Sequence, residues 1–464
     1  MSSAGATFCS QLSGIAGSAN VLSDPSELTP YEINGKAPAV AVRPGSCEEV
    51  TEIVKFALTE NLTIVPSGAR TKLAMGMPPR QYDLAIDTAR LARVTAYDPN
   101  DLTLGVESGV LLREVTNLLA EHRQFLPLAV PFAEQATVGG TVASGVDGPL
   151  RQFYGTARDY VLGMEFVTGA GIRAQSGGRV VKNVAGYDIH KVMIGAFGTL
   201  GIVTKVNFRT FPLPESMLGF AADFKNAGDA IELRNLLARS PFTPLMLEIF
   251  SPRAARMVSN AMASAVRSGM PPPLVALANW TVVTVVAGNE KVLERFGREF
   301  GRMAEESGTS GAHCLGEEET RSLFVQMREF APDVLAASGA ATIMKISVLP
   351  GRMKELFASG IQGAEVNSLE WTAAARGLGV IYFAFLPGDR TEENCRRVVR
   401  ATEQIFVECS RLHGNATIPW CPVEWKSALR VWGPERADLD QMRKLKKVFD
   451  PNNVFSPGRF VGGL

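Results

Sequence analysis

The sequence predicts an α+β protein of two domains, and three features of its pattern indicate this class. The first is a compact strand–helix–strand unit near the N-terminus. The second is a run of strands joined by glycine-rich turns, from Val130 to about Arg209. The third is an alternation of strand and helix patterns beyond the linker Thr210 to Pro214. Strands and helices mixed in this way favour an α+β architecture.

Length and composition exclude several classes of protein. The 464 residues carry 47 basic and 47 acidic side chains, so no excess positive charge favours binding to nucleic acid or an anionic membrane. The most apolar stretch, Pro273 to Gly288, is interrupted by polar residues and falls short of the about 18 apolar residues of a membrane span. The six cysteines form no C-x-x-C pair, which argues against a disulfide framework or a usual iron–sulfur or zinc site. The first residues lack the pattern of a secretory signal, so we expect a cytoplasmic protein.

The first domain opens with the strand–helix–strand unit, after a leader at residues 1–32 that we expect to be loosely ordered. Ala39 to Val42 reads as a strand, and Ser46 to Glu49 is a capping box that starts a helix. Leu62 to Val65 reads as the second strand, and the loop from Pro66 to Lys72 follows it directly. Three more strands and an amphipathic helix are predicted next, at Asp83 to Asp87, Ala92 to Tyr97, Leu102 to Glu107, and around Leu111 to Leu119.

The remaining residues predict a second domain and a returning tail. Strand patterns lie at Leu218 to Phe224, Leu245 to Phe250, Ala341 to Val348 and Val380 to Leu386. A long helix carries Cys395 to Cys409, and a last helix runs from Ala437 to Val448. We therefore divide the chain into residues 33–214, residues 215–430, and a C-terminal helix and tail at 431–464 that packs on the first domain.

Three glycine-rich segments are the candidate ligand site. They are Pro66 to Lys72, Thr137 to Gly145, and Gly195 to Val203. Loops of this composition can turn several backbone N–H groups toward one anion, such as a diphosphate, and glycine lets the backbone approach a ligand closely. The alternative is that these are simply turns in a protein with 44 glycines.

Gly169 to Ala174 also fits the G-x-G-x-x-G/A fingerprint of dinucleotide-binding folds. That fingerprint requires a helix to begin there, so that its N-terminus faces the phosphates. The chain instead continues into Gln175 to Gly178 and then Val180-Val181, which predicts a hairpin turn.

Five motifs resemble a known family of flavoproteins. They read VRPGSCEEVTEIVKFA, IVPSGARTKL, TVGGTVASG with YGTARDYVLGMEFVTGAG, VVKNVAGYDIHKVMIGAFGTLGIVTKV, and FDPNNVFSPGRF. In this order they resemble the FAD-binding domain of the vanillyl-alcohol-oxidase (PCMH) type. Within that family, GRVVKNVAGYD and a shortened second domain resemble the FAD-binding (E) subunits of bacterial glycolate oxidases most. The resemblance is strong over about residues 33 to 214, good in the tail, and weak in the middle.

The resemblance implies a set of FAD-binding residues and a fold. In that fold a two-part FAD-binding domain is followed by an α+β cap domain with an antiparallel sheet. The first loop would bind the pyrophosphate, and the second segment would line the other side of the pyrophosphate. The Tyr154 to Asp159 block would close the site. The tail would return to the flavin domain. The implied cofactor-binding residues are Pro66, Ser67, Gly68, Ala69, Arg70, Thr71, Lys72, Pro131, Thr137, Val138, Gly139, Gly140, Ala143, Ser144, Tyr154, Gly155, Arg158, Asp159, Gly201, Ile202 and Val203.

Departures from the family set further expectations. Relatives often tether FAD through a histidine in or near the first loop, but none of the four histidines here lies there, so we expect non-covalent FAD. Relatives that oxidise 2-hydroxy acids alone have a histidine-rich metal site. The matching segment Ala375 to Tyr382 has no histidine or carboxylate, and the segment His413 to Thr417 lacks the Glu-His pair, so we expect no metal. Relatives commonly carry a carboxylate where this chain has Phe197. Catalytic residues stay unassigned, with Arg376 the one weak candidate, for holding a substrate carboxylate.

Three functions remain open at this point. The first is an FAD-binding subunit of a glycolate oxidase complex, working beside a catalytic flavin subunit and an iron–sulfur subunit; its own share in oxidising glycolate to glyoxylate, relaying electrons or holding the complex together is open. Such a complex could place it at the inner face of the membrane. The second is a self-sufficient FAD-dependent 2-hydroxy-acid or alcohol dehydrogenase, and the third is a structural subunit with little chemistry.

Overall fold

The computed structural model describes residues 3–179, 186–266 and 277–464. The Val180-Val181 pair that follows the predicted hairpin, the part of the GRVVKNVAGYD motif at residues 180–185, and the start of the apolar stretch at Pro273 lie outside these ranges. Within the described ranges, no helix combines the length and the apolar character needed to traverse a bilayer.

The N-terminal lobe is a small sheet covered by helices. Its elements are α1 (Ser3–Ala16), β1 (Val21–Leu22), α2 (Pro25–Leu28), β2 (Val40–Val42), α3 (Cys47–Thr59), β3 (Ile64–Ser67) and β4 (Leu84–Asp87). The strand order is β1-β2-β4-β3, with β2, β4 and β3 parallel. Helix α3 begins at Cys47 because the Ser46 hydroxyl accepts a hydrogen bond from the amide of Glu49. The predicted strand–helix–strand unit is confirmed, and β3 begins two residues later than its apolar pattern.

The leader differs from the loose order that we expected. Strand β1 pairs with β2, and Leu12 of α1 is fully buried in the core of the lobe. The hydroxyl of buried Tyr31 donates a hydrogen bond to Asp87 at 2.6 Å. The segment packs on the lobe because a few apolar residues spaced along it supply contacts that its serine, alanine and glycine content conceals.

The second lobe of this domain is an antiparallel sheet. Its elements are β5 (Val94–Asp98), β6 (Thr103–Glu107), α4 (Leu112–Ala120), β7 (Gln124–Phe125), α5 (Val138–Ser144), α6 (Arg151–Tyr154), α7 (Ala157–Tyr160), β8 (Val161–Thr168), β9 (Arg173–Gly177), α8 (His190–Met193) and β10 (Gly201–Arg209). The strand order is β5-β6-β10-β8-β9. Strands β8 and β9 form a hairpin across the Gly169 to Ala174 segment, which confirms the predicted turn and excludes a dinucleotide-binding helix there.

The second domain is a large antiparallel sheet flanked by helices. Its elements, after β11 (Phe211–Pro212), are β12 (Met217–Phe224), α9 (Ala227–Arg239), β13 (Met246–Phe250), α10 (Pro252–Val266), β14 (Trp280–Ala287), α11 (Glu290–Glu306), β15 (Gly311–Leu315), α12 (Glu317–Arg328), α13 (Phe330–Ala337), β16 (Thr342–Ser347), α14 (Met353–Val366), β17 (Glu370–Arg376), β18 (Val380–Leu386), α15 (Glu392–Arg411) and β19 (Asn415–Trp420). The order is β15-β12-β14-β13-β17-β18-β16-β19. All four predicted strands and the long helix are present. We call this domain the cap.

The tail returns to the first domain, as the fold class predicted. After α16 (Leu439–Phe449), the amide of Ile64 donates to the carbonyl of Val454, and the amide of Ser456 donates to the carbonyl of Ile64. The buried Lys446 ammonium binds the carbonyls of Thr199 and Phe455. The α+β fold is therefore closed by its own C-terminus, and an apolar cluster that includes Leu150, Leu245 and Phe250 packs the cap against the first domain.

Candidate functional site

One cavity in the first domain is lined by all three glycine-rich segments, and we call it the glycine-loop cavity. The first loop contributes every residue from Pro66 to Lys72, and the third segment contributes Gly201 to Val203. The second segment contributes Thr137, Gly139, Gly140, Ala143 and Ser144. Segments that are more than 130 residues apart at their extremes (203 − 66) therefore converge on one space.

The first loop leaves its main-chain N–H groups available. In the part of the chain that the structure describes, no group accepts a hydrogen bond from the amides of Gly68, Ala69, Arg70, Thr71 or Lys72. Arg70 has φ +63°, in the left-handed region, which suits a loop that curls its amides to one side. Buried main-chain N–H groups in folded proteins are nearly always paired. Gly68 is buried and the residues from Ala69 to Lys72 are half-buried, so this loop is suited to a ligand rich in acceptor oxygens.

Close backbone approach explains two of the glycines. A Cβ atom on Gly68 would lie 2.2 Å from the Thr137 hydroxyl oxygen, so the first loop and α5 can meet only without a side chain there. Gly198 has φ +65° and lies against the Pro66 ring, where an added Cβ would come within 3.2 Å. These contacts fix the three segments against one another.

The second segment contributes surface rather than free donors. The Gly139 amide donates to the Ser108 carbonyl at 2.7 Å, and the Gly140 amide donates to the Thr137 hydroxyl at 3.3 Å. The expectation that amides of all three segments are free for a ligand is therefore wrong for this one. The reason is that these residues form the first turn of α5, whose N–H groups are capped within the protein.

The Arg70 side chain shapes the loop instead of extending into the cavity as a free cation. Its Nη1 donates to Asp87 at 2.7 Å and to the Gly68 carbonyl at 3.2 Å, and its guanidinium lies over the Tyr31 ring. Asp87 is almost fully buried. Burial, with the neighbouring Asp87, raises the pKa of Tyr31, which keeps its hydroxyl a donor. Arg70 is thus held by its protein partners.

Two other cations line the cavity without a carboxylate partner among the described residues. Lys72 donates to the Thr71 hydroxyl, and Arg459 of the tail donates to the carbonyls of Leu73 and Met75, at 2.6 and 2.8 Å. Burial lowers the pKa of Lys72 to about 8 and that of Arg459 to about 10. Arg459 is buried and Lys72 is half-buried, and a cation removed from water without a carboxylate in direct contact is costly, so the cavity favours an anionic ligand.

Six of the predicted residues do not line this cavity. Val138 is buried in the core, and Tyr154 packs edge-on against Phe125 and Phe211. Asp159 accepts a hydrogen bond from the Thr156 amide at 2.7 Å and caps α7. The others are Pro131, which lies outside the cavity, and Gly155 and Arg158, which line a different one.

That second cavity, which we call the interdomain chamber, lies between the first domain and the cap. Its volume is about 450 Å³, and Ser144 and Phe197 line both it and the glycine-loop cavity. Phe197 stacks on Phe460 of the tail at 5.6 Å and packs edge-on against Trp432 at 5.0 Å. An aromatic wall therefore stands where the two cavities meet, at the position where the sequence suggested a lost carboxylate.

A cluster of charged residues lines the chamber and continues behind it. Asp147 accepts hydrogen bonds from Lys345 at 3.1 Å, from Arg151, and from Arg376. Burial alone would raise the pKa of Asp147, but the charges of Lys345, Arg376 and Arg151 hold it well below its usual range. Asp147 is therefore an ionised carboxylate surrounded by three cations.

Arg376 is committed to protein carboxylates. Besides Asp147, its Nε lies 3.4 Å from Glu248, and its guanidinium covers the Tyr382 ring. Only 7% of its side chain is exposed, and burial raises the pKa of Glu248 to about 7. The structure thus shows Arg376 as an ion-paired residue behind the chamber, and Lys345 is the cap cation that lines the chamber.

In the described ranges, no group of three or more histidine, cysteine, aspartate or glutamate side chains is placed to hold a metal ion. The described residues that line the glycine-loop cavity include no histidine, cysteine or tyrosine. Some residues line the glycine-loop cavity without having been predicted to do so. Arg459 could have been found from the sequence, because it lies in the tail motif FDPNNVFSPGRF. Ser108 and Thr88 could not, since single polar residues after strands are common.

Comparison with protein families finds two matches along the chain. The profile described as "FAD binding domain" matches residues 38–175. The profile described as "FAD linked oxidases, C-terminal domain" matches residues 213–417 and 429–460, which is more than half of the chain. The middle, where the motifs resembled the family only weakly, is therefore part of the match.

Three curated relatives extend this comparison. "Glycolate oxidase subunit GlcD" of Bacillus subtilis is 24% identical over 91% of this chain and 88% of its own length. "D-lactate dehydrogenase" of Archaeoglobus fulgidus is 26% identical over 92% of each. "Glycolate oxidase subunit GlcE" of Escherichia coli is 36% identical over 37% of this chain and 49% of its own length. Among solved structures, p-cresol methylhydroxylase with substrate bound has a TM-score of 0.79 at 17% identity, covering 99% of this chain and 97% of that one, which shows a shared fold.

Proposed function

The chain belongs to the FAD-linked oxidase family, and on that basis we propose that it is an FAD-binding subunit of a glycolate oxidase or dehydrogenase complex. It is an FAD-dependent oxidoreductase of the group that acts on CH–OH carbons. The substrate class is a small 2-hydroxy acid, because the relatives above include a glycolate oxidase subunit and a D-lactate dehydrogenase.

The flavin role rests on the glycine-loop cavity. Among the residues that the structure describes, five consecutive amides have no protein acceptor, and Lys72 and Arg459 have no carboxylate in direct contact, which fits a ligand with two phosphoryl groups. When bound, FAD supplies the acceptor for a hydride from the substrate carbon. The chain's own residues would bind the diphosphate from the first loop, and Phe197, packed against Trp432 and Phe460, borders both the glycine-loop cavity and the chamber.

We further propose that FAD is held without a covalent bond. No histidine, cysteine or tyrosine lines the described part of the glycine-loop cavity, so no side chain of the types that commonly tether flavins faces the ligand space. The prediction is tested by acid precipitation of the flavin-loaded protein: the yellow cofactor should remain in the supernatant. Flavin that stays with the pellet after denaturation would contradict it.

The partners proposed are a second, catalytic flavin subunit and an iron–sulfur subunit that accepts the electrons. The glycolate oxidase subunits to which the chain is similar, GlcD and GlcE, support an assembly of several chains, and the iron–sulfur subunit is our proposal for the electron acceptor. Purification of the native complex with an inventory of iron, sulfide and flavin tests this. A chain recovered alone, with flavin and without iron, would argue against the assembly.

A second candidate is a self-sufficient FAD-dependent 2-hydroxy-acid dehydrogenase. The alignment to D-lactate dehydrogenase over 92% of both chains favours it, because the cap is included. Anaerobic addition of glycolate or D-lactate to the purified, FAD-loaded chain separates the two. Bleaching of the flavin by the isolated chain supports self-sufficiency, whereas bleaching only with partners supports the subunit role. A chain that stays colourless after incubation with FAD would overturn both.

A further inference from the structure

The interdomain chamber has an excess of positive charge. Among the described residues that line it, Asp147 is the one carboxylate, against Arg151, Arg158, Lys345 and Arg436. Arg436 pairs with Asp438 outside the chamber, so Lys345 and Arg151 are the cations whose one protein counter-ion is Asp147. Arg376, behind them, adds a third positive charge to the same carboxylate. A partly closed space with this imbalance favours an anionic ligand.

We propose that the chamber binds the carboxylate of the substrate between Lys345 and Arg151, with Asp147 as an internal counter-ion that sets the strength of binding. This inference rests on the proposed function, because it takes a 2-hydroxy acid as the ligand. It moves the carboxylate role from Arg376, where the sequence suggested it, to a residue of β16 and a residue of α6.

Exposure separates the two chamber cations from Arg376. The side chains of Lys345 and Arg151 are 24% and 31% exposed, whereas that of Arg376 is 7% exposed. Lys345 has three N–H donors and Arg151 has five, and within the described part of the chain each makes one hydrogen bond, to Asp147. Both therefore keep donors for a ligand. Although burial opposes its charge, Tyr382 and Asp147 raise the pKa of Lys345, so it stays protonated at neutral pH.

The position of the chamber suits the chemistry of a 2-hydroxy acid. In such an acid the carboxylate is bonded directly to the carbon that loses hydride. Ser144 and Phe197 border both the chamber and the glycine-loop cavity. A small acid anchored by its carboxylate in the chamber therefore lies beside the passage to the flavin site, with no step required of Asp147 beyond holding the two cations.

The test uses the full-length, FAD-loaded chain and oxalate, a glycolate-like carboxylate that cannot lose hydride. Binding is followed by the change in flavin absorbance during a titration. We expect Lys345→Gln to weaken oxalate binding at least about tenfold, as for loss of a charged hydrogen bond. Lys205→Gln is the matched control, because Lys205 also pairs with a carboxylate, Glu165 at 3.0 Å, but lines neither cavity. It should bind oxalate as the wild type does.

Asp147→Asn tests whether the charged cluster binds a ligand or only stabilises the fold. Removing the internal counter-ion frees Lys345 and Arg151, so oxalate should bind more tightly, by about three- to tenfold, whereas Lys345→Gln weakens it. Opposite signs for the two variants support the proposal. Equal binding by Lys345→Gln and wild type, or equal weakening by both variants, would overturn it.

A readout that does not need flavin keeps this inference distinct from the proposed function. Oxalate should raise the Tm of the wild-type chain, and the increase should be lost in Lys345→Gln. A chain that takes up no FAD but still shows this difference contradicts the flavin role and supports the anion site. A chain that takes up FAD but shows no oxalate stabilisation supports the flavin role and contradicts the anion site.

Discussion

The glycine-loop cavity and the interdomain chamber are neighbours that are built by opposite means. The first is made of backbone: free amides from Gly68 to Lys72, and glycines where a Cβ would collide. The second is made of side chains: one carboxylate, Asp147, shared by Lys345 and two arginines. A backbone site recognises a group that is common to many ligands, whereas a side-chain site can be changed one residue at a time. On the two proposals above, cofactor binding and substrate choice can therefore vary independently.

The largest effect is expected from a substitution that disrupts only the backbone site. Gly68→Val places a branched side chain where even a Cβ would lie 2.2 Å from the Thr137 hydroxyl, so the loop must move and its amides lose their alignment. We expect loss of bound flavin, measured by absorbance near 450 nm per mole of protein, with the cap still folded. The control is Gly351→Val, at an exposed glycine of the cap with no atom within 4 Å of the added Cβ. Full flavin retention by Gly68→Val would show that the diphosphate binds elsewhere.

The same contrast explains how much the sequence could predict. The sequence predicted the first loop as a ligand site because the strand, the glycine and the residues that supply the amides are consecutive in the chain. Local composition is therefore enough to identify it. The lining residues Thr137 to Ser144 and Gly201 to Val203 were placed by resemblance to the family. Local patterns also predicted the Ser46 cap and the β8–β9 turn, because the residues that decide them are adjacent.

The chamber was not predicted for a physical reason. Its ion cluster joins Asp147 to Lys345 and Arg376, which are 198 and 229 residues away in sequence, and no periodicity reports such a pairing. The sequence suggested Arg376 as a ligand of the substrate, because the sequence around a single arginine on a strand does not show which residues pair with it in the fold. Capping of the Gly139 and Gly140 amides was missed similarly, since it depends on α5 beginning at Val138 rather than on composition.

The next effect concerns stability of the side-chain site. Arg376→Met leaves buried Glu248 without its cation, while Asp147 keeps Lys345 and Arg151. We expect the free energy of unfolding to fall by about 3 kcal/mol, the lower end of the range for breaking a buried ion pair, measured by urea unfolding. Arg253→Met is the matched control, because Arg253 pairs at the surface with Glu370, which lies on β17 as Arg376 does. Its loss should lower the free energy of unfolding by about 0–1 kcal/mol. Equal costs would mean that the chamber cluster is no more buried in solution than a surface pair.

A smaller effect tests whether a side chain contributes to the backbone site. Arg459→Met removes the tail cation that lines the glycine-loop cavity and binds the carbonyls of Leu73 and Met75. Loss of about 1.5–3 kcal/mol of charged hydrogen bonding corresponds to FAD binding that is about 10- to 100-fold weaker. Fluorescence titration of the flavin-free protein measures this. Arg396→Met, an exposed arginine of α15, serves as the control. Unchanged affinity in Arg459→Met would restrict the site to main-chain groups.

The smallest effect is expected from a residue at the rim of the chamber, and it distinguishes ligand binding at the rim from binding in the interior. Arg158 is exposed and already donates to the Lys191 carbonyl, so its charge acts on a chamber ligand through solvent. Exposed charges interact by about 0–1 kcal/mol and are screened over about 10 Å at 0.1 M salt. Arg158→Gln should therefore weaken oxalate binding about twofold at low salt and not measurably at 0.5 M, whereas the loss in Lys345→Gln should persist at both. A salt-independent, tenfold loss in Arg158→Gln would place the carboxylate at the rim, against α7, rather than between Lys345 and Arg151.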